Sequence, residues 1–307
     1  MPTNPYGART WGIDVTNFLQ QIVSGLASGG IYGSLALAIV IIHRSTGVIN
    51  FAQGEMATLS AFVCWTLVDH GWSFWAAFGA TLALSFAGGV ALQTVVIKPI
   101  QGGPLLGIVI LTIGLLIAIN GLTTWIWGGA AKQFHGPFST SPITVGGVAF
   151  SKQDIGVIAV SVLVVVLVGL LFKRTKLGLG LRAAAVNPVE ARLVGVRVAA
   201  MLAVGWGLAA MLGAVAGVMA APSLFLEPNM MQTVLLYAFA AAVLGGMDSP
   251  VGAVVGGLVL GVLLNLVGTY VHWVGGELRL ATALAVILGV LLFRPSGLFG
   301  RAAVRRA

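Results

Sequence analysis

Few side chains in this sequence could do chemistry, and they are grouped. Asn50, Gln53 and Glu55 lie close together in GVINFAQGE, Asn120 and Thr123 sit one helical turn apart in an apolar stretch, and Asn187-Pro188-Val189-Glu190 interrupts a basic one. Amides, a hydroxyl and a lone carboxylate can hydrogen-bond a passing solute or a neighbouring helix. They do not make a nucleophile–base pair. His43, His70, His135 and His272 are scattered without ligand spacing, and the single Cys64 excludes an internal disulfide and a cysteine-rich metal site. There is no G-x-x-x-x-G-K-[ST] phosphate loop and no G-x-S-x-G elbow, so the chain itself is not expected to hydrolyse ATP or an ester. No catalytic residue, metal or cofactor is expected.

The elements that hold these residues follow from composition. Of 307 residues, 58% are hydrophobic and 8% charged, against about 25% charged in soluble domains; the chain belongs in a bilayer. Apolar cores run near 17–42, 51–68, 73–97, 105–128, 154–172, 198–221, 232–246, 251–269 and 279–293. A helix needs about 20 such residues to cross the hydrocarbon core. The reading is an all-α, polytopic transmembrane bundle of about eight to nine spans, one domain over 1–307, with 232–246 and 279–293 short, tilted or partly re-entrant. The first apolar stretch is too long for a signal peptide's core and reads as a retained span.

Charge sets the orientation. With the loop at 173–197 in the cytoplasm and alternating spans, the inner side collects Arg44, Lys98, the six cations of that loop, Arg294, Arg301, Arg305 and Arg306, twelve of the sixteen Lys and Arg. By the positive-inside rule the N-terminus is expected outside and the C-terminus inside. Trp65, Trp72, Trp75, Trp125 and Trp127, with Trp11 and Trp273, fall at expected outer ends; Trp206 alone lies within a span. The net charge of +8 is topological, with no solvated basic domain to bind nucleic acid.

Small residues recur every fourth position at Gly25, Gly29 and Gly33, at Gly205, Ala209, Gly213 and Gly217, and at Gly257 and Gly261. Such stripes let helix backbones approach where lipid supplies no hydrophobic drive. Two polar stripes share helix faces: Gln20, Ser24, Ser28 and Tyr32 on the first span, and Thr112, Asn120, Thr123 and Thr124 on the fourth. Each either lines a polar path or bonds a neighbouring helix. No Lys, Arg, Asp or Glu lies near the middle of an assigned core, which suits a path switched from outside better than a proton-coupled or sodium-coupled carrier.

The loop 173–197 carries more structure than a tether needs. Asn187 reads as an N-cap, Pro188 as N1 and Glu190 as N3 of a capping box, and Gly195 ends a short helix near 188–194. Val189 and Leu193 share one face of it, beside Arg192. The charges alone fit a plain solvated inner loop; a capped helix with an apolar face favours docking over that reading.

The segment GLGLRAAAVNPVEARLVGV (178–196) resembles the cytoplasmic coupling loop of ABC-transporter permeases, in particular those for branched-chain amino acids. STGVINFAQGEM (45–56), LGGMDSPVGAVVGG (244–257) and FRPSGLFG (293–300) are similar to further passages of that family, in the same order. Asp248 stands where a small residue is expected, Arg192 where the importer loop has a second Ala, and Gly195 comes one residue early. The resemblance implies that Arg182, Asn187, Pro188, Glu190, Ala191 and Gly195 dock an ATPase, and that Asn50, Gln53 and Glu55 lie near the path or gate, with Asn120 and Thr123 as further candidates. It also implies partners: a second, homologous permease subunit, two cytoplasmic ABC ATPase subunits, and a periplasmic or lipoprotein substrate-binding protein. The setting is a bacterial cytoplasmic membrane. Leucine, isoleucine or valine is the leading substrate, with urea, short amides or other small amino acids as alternatives. A stand-alone channel or facilitator is the rival from another class.

Overall fold

The structure, a computed structural model, describes residues 15–139, 141–145, 148–271 and 278–300. Every apolar core read from the sequence becomes a helix: α1 (Val15–Thr46), α2 (Gln53–Asp69), α3 (Phe74–Ala91), α4 (Leu105–Trp127), α5 (Lys152–Arg174), α8 (Val198–Leu224), α9 (Met230–Gly245), α10 (Pro250–Tyr270) and α11 (Arg279–Phe293). Between α5 and α8 run α6 (Lys176–Val186) and α7 (Pro188–Leu193). A π-helical turn, Leu92–Ile97, and a 3-10 turn, Lys98–Ile100, prolong α3.

Six helices among the described residues are long and apolar enough to cross a membrane: α1, α3 with its extension, α4, α5, α8 and α10. The expected eight to nine full spans thus resolve into six long helices and three shorter ones, since α2 has 17 residues, α9 has 16 and α11 has 15. The all-helical expectation needs one amendment. Pro142–Val145 (β1) and Val148–Ser151 (β2) pair antiparallel, Pro142 opposite Ser151, ahead of α5. Lying outside the apolar cores, this hairpin left no trace in a reading built on span length.

Burial separates centre from perimeter. In α1 and α8, 78% and 72% of the most apolar window is buried, against 22%, 17% and 22% in α3, α4 and α5. The glycine stripes explain why the central helices can meet. A Cβ on Gly29 would stand 2.8 Å from the carbonyl oxygen of Gly257 on α10, and one on Gly33 would stand 3.1 Å from that of Val254. Only hydrogen fits between these backbones, so close packing is possible without hydrophobic drive. Trp206, the one tryptophan assigned to a span, is 1% exposed inside the bundle, whereas Trp72, Trp75 and Trp125 are exposed where α2, α3 and α4 turn round.

The bundle has two distinct ends. α5 finishes and α8 begins at the end that carries α6 and α7, hereafter the loop end. Leu298 and Phe299 fold back there and donate to the carbonyls of Leu244 and Gly245 at 2.8 and 3.0 Å, so two passages that carry the family resemblance are joined. At the far end α8 stops at Phe225, whose φ of 62° breaks the helix, and Leu226 pairs with Lys132 in an isolated bridge.

Candidate functional site

Two groups of residues stand out, one at the loop end and one inside the bundle. At the loop end, Thr175 starts α6 by accepting a bond from Gly178 N, and Arg182 on that helix donates from Nε to the Gly178 carbonyl at 3.4 Å, its head exposed. Asn187 caps α7: its Oδ1 accepts from the backbone N–H groups of Val189 and Glu190 at 3.1 and 3.2 Å, with Pro188 at N1. The reciprocal half of the expected capping box is absent, because α6 runs on to Val186 and its Ala183 carbonyl takes the Asn187 N–H. Glu190 is therefore left exposed.

The helix ends as its glycine requires. Gly195 has φ +84°, its N–H bonds the Arg192 carbonyl, and the Val196 N–H reaches back to the Ala191 carbonyl. This is the Schellman arrangement, with its customary apolar contact: Ala191 is buried with Ala184, Val198 and Leu202, and Val196 packs against them. One face of α7 is thus anchored. The other is bare, for Val189 and Leu193 are 66% and 82% exposed, and Val186 and Val194, which flank the helix, are 80% and 78% exposed.

Inside the bundle, α2 begins beside the middle of α8. Gln53 Nε2 donates to the carbonyl of Ala209, about midway along α8, at 2.9 Å, and Asn50 Nδ2 donates to Gln53 Oε1 at 3.3 Å. Both side chains are fully buried. Glu55, in the first turn of α2, consequently meets α4 past its midpoint: its Oε2 accepts from Asn120 Nδ2 at 3.1 Å and its Oε1 from Gln232 Nε2 at 3.5 Å. No Lys, Arg, Asp or Glu lies near the middle of an assigned core, yet Glu55, near the start of one, is buried inside the bundle. A position at the start of an apolar stretch says nothing about depth when the helix itself starts inside.

Asn229, just before α9, completes the cluster. Its Oδ1 accepts from both Asn120 and Gln232 at 2.9 Å, and Asn120 also donates to the Pro228 carbonyl. Asn229 and Gln232 are exposed while Glu55 is 2% exposed, so the cluster runs from a buried carboxylate to an open amide face. Thr123 does not join it; its hydroxyl bonds the Ile119 carbonyl within α4. Asn229 and Gln232 escaped notice in the sequence because neither a short polar connection nor the first polar residue of an apolar run tells which helix it will fold against. Among the described residues no group of three or more His, Cys, Asp or Glu could hold a metal ion.

The family model for branched-chain amino acid transport system permease components matches residues 21–294, which takes in α6, α7 and the Glu55 cluster. The chain belongs to this family of ABC-transporter permeases. A permease protein of the high-affinity branched-chain amino acid transport system of Pseudomonas aeruginosa, BraD, is 30% identical, over 95% of this chain and 99% of its own. LivH of Escherichia coli, named for the same kind of system, is 27% identical over 94% of this chain and 97% of its own. PsaBC from Streptococcus pneumoniae, solved in complex with Fab, contains a chain with a TM-score of 0.51 at 14% identity, covering 91% of this chain and 92% of its own; that likeness shows a shared fold. As a member of this family the protein is a multi-pass membrane permease.

Proposed function

We propose that the chain is the membrane-spanning subunit of an ATP-driven importer for branched-chain amino acids, docked to its ATPases through residues 173–197. The observation that carries this reading is the construction of α7. A helix of six residues is too short to hold itself in water, yet this one is fixed by an asparagine cap, a proline, a Schellman end and a buried Ala191 while its Val189 and Leu193, with Val186 and Val194 on either side of it, face outward. Rigid support beneath an open apolar face is what transmitting a push requires.

In this reading a substrate-binding protein delivers leucine, isoleucine or valine at the far end, and two cytoplasmic ATPases close beneath the bundle and drive α6 and α7. A second, homologous permease subunit completes the pore. Glu55 and Asn120 border the path together with Asn229 and Gln232, while Asn50 and Gln53 fix the helices behind them and Thr123 bonds within α4. The exposed amides support this placement, since polar groups facing lipid at that depth would lack partners. The distribution of charge supports a cytoplasmic loop end in a bacterial cytoplasmic membrane, N-terminus outside and C-terminus inside: Arg44, Lys98 and Arg294 join the six loop cations there, and Lys132, Lys152 and Arg279 lie opposite.

The test is reconstitution. The chain in vesicles with its ATPases, partner permease and binding protein should take up radiolabelled leucine only when ATP is present on the loop side. Uptake by the chain alone, without ATP, would replace the importer with a facilitator.

A further inference from the structure

At the far end a cavity of about 420 Å³ opens between α1, α5, α8, α9, α10 and α11, within the roughly 300–1,000 Å³ of small-molecule sites. It shares Asn229 with the Glu55 cluster and takes nothing from the docking loop. Its wall carries charges of both signs: Arg279 and Asp154, both partly buried, and Glu227, which is exposed and can be balanced by solvent. Arg279, the first residue of α11, lines it with a buried Nε that has no hydrogen-bond partner among the described residues. Asp154, in the first turn of α5, lines it too, and among the described residues its Oδ2 accepts from Ser24 Oγ at 3.0 Å while its Oδ1 has no hydrogen bond. Tyr32 and Tyr237, ring centroids 5.2 Å apart, stand on the wall, and Ile31, Val157, Val234 and Leu264 supply apolar surface.

From this juxtaposition we propose that the cavity is an entry site for a zwitterion with an apolar side chain, a free α-amino acid. The guanidinium of Arg279 takes the carboxylate and Asp154 Oδ1 takes the ammonium. A guanidinium presents donors that match a carboxylate in a fixed fork, and among the described residues its Nε has no acceptor. Burying a charge is costly unless a partner cancels it; a solute with one charge of each sign satisfies both walls at once and brings no net charge into the membrane. The aliphatic surface between them takes the side chain. A neutral solute such as urea would leave both charges uncompensated, and a sugar would leave them facing hydroxyls. The polar stripe Ser24, Ser28 and Tyr32 on α1 thus performs both tasks open to it, Ser24 holding Asp154 in place while Ser28 and Tyr32 line the cavity.

The proposal rests on the importer reading for the direction of traffic, though the chemistry of recognition is read from the cavity itself. The test is equilibrium binding of radiolabelled leucine to the chain, purified with whatever subunits accompany it and held in lipid nanodiscs without ATP. Leucinamide, which lacks the carboxylate, and 4-methylpentanoate, which lacks the ammonium, serve as competitors. Wild type should bind leucine saturably and both competitors more weakly. Arg279→Ala should lower leucine affinity roughly tenfold or more, the loss expected for a charge-assisted bond, and leave leucinamide competition where it was; Arg279→Lys should recover part of the loss. Asp154→Asn should give the mirror pattern, with 4-methylpentanoate unaffected. Misfolding cannot produce two opposite analogue patterns. Saturable leucine binding that is indifferent to both substitutions overturns the proposal and leaves the importer reading intact. Absence of leucine binding by wild type overturns it as well. If the expected analogue patterns are found but the reconstituted complex shows no ATP-dependent uptake, the site stands and the importer reading falls.

Discussion

Asn120 on α4 donates to Glu55 on α2 across 3.1 Å, and the same amide nitrogen lies 2.9 Å from Asn229 Oδ1, so one side chain ties a perimeter helix, a helix that starts inside the bundle and the approach to α9. The contact joins a buried acid to an exposed amide face. Whatever moves α2 or α9 must change it.

Glu55→Ala removes the acceptor of both Asn120 and Gln232. ATP-driven leucine uptake should fall about tenfold or more, the loss of charge-assisted bonds of about 1.5–3 kcal/mol each being felt along the path, while the amount of chain recovered from membranes stays near that of wild type. Gln53→Leu should do the opposite. The bond from Gln53 to the Ala209 carbonyl is fully buried and helix to helix, so the detergent melting temperature should drop and the surviving protein should still transport.

The crossing of α1 and α10 depends on glycine. Gly29→Val would drive two methyl groups towards the Gly257 carbonyl and should abolish recovery of monodisperse protein by size-exclusion chromatography. Gly79→Val on α3 is its control, since nothing lies within 4 Å of a Cβ there; it should be recovered normally.

On α7, Leu193→Glu changes a residue that touches little of its own chain, being 82% exposed. It should leave the bundle's melting temperature unchanged and reduce ATPase co-purification severalfold. Asn187→Ala removes a cap that two backbone N–H groups use and should destabilise α7 by about 1 kcal/mol, seen as faster amide exchange over 188–194 with little change in the spans.

Much of this was legible in the sequence. Helix positions followed from apolar length, and the α7 cap and its Gly195 end followed from residue types whose backbone preferences are strong. The α1–α10 crossing was visible as two glycine stripes, though not that they face each other. Depth was not legible. Gln53 and Glu55 sit at the start of an apolar run, which places them at a boundary on paper, yet the six residues after Thr46 carry the chain back into the bundle before α2 begins. The missing half of the capping box has a similar origin, for α6 extends far enough that Ala183 satisfies the Asn187 N–H first. Asp154 and Arg279 are distant in sequence, and only the fold places them on one cavity.

The central claim is that this permease is driven by ATPases docked on 173–197. The most direct measurement is affinity purification of the tagged chain from its native membranes, with every accompanying polypeptide identified, beside Leu193→Glu and Gly195→Val. A second permease and P-loop ATPases with the wild type, and loss of the ATPases alone in the two variants, is the predicted result. Recovery of the chain by itself, or ATPases retained undiminished in both variants, would contradict it.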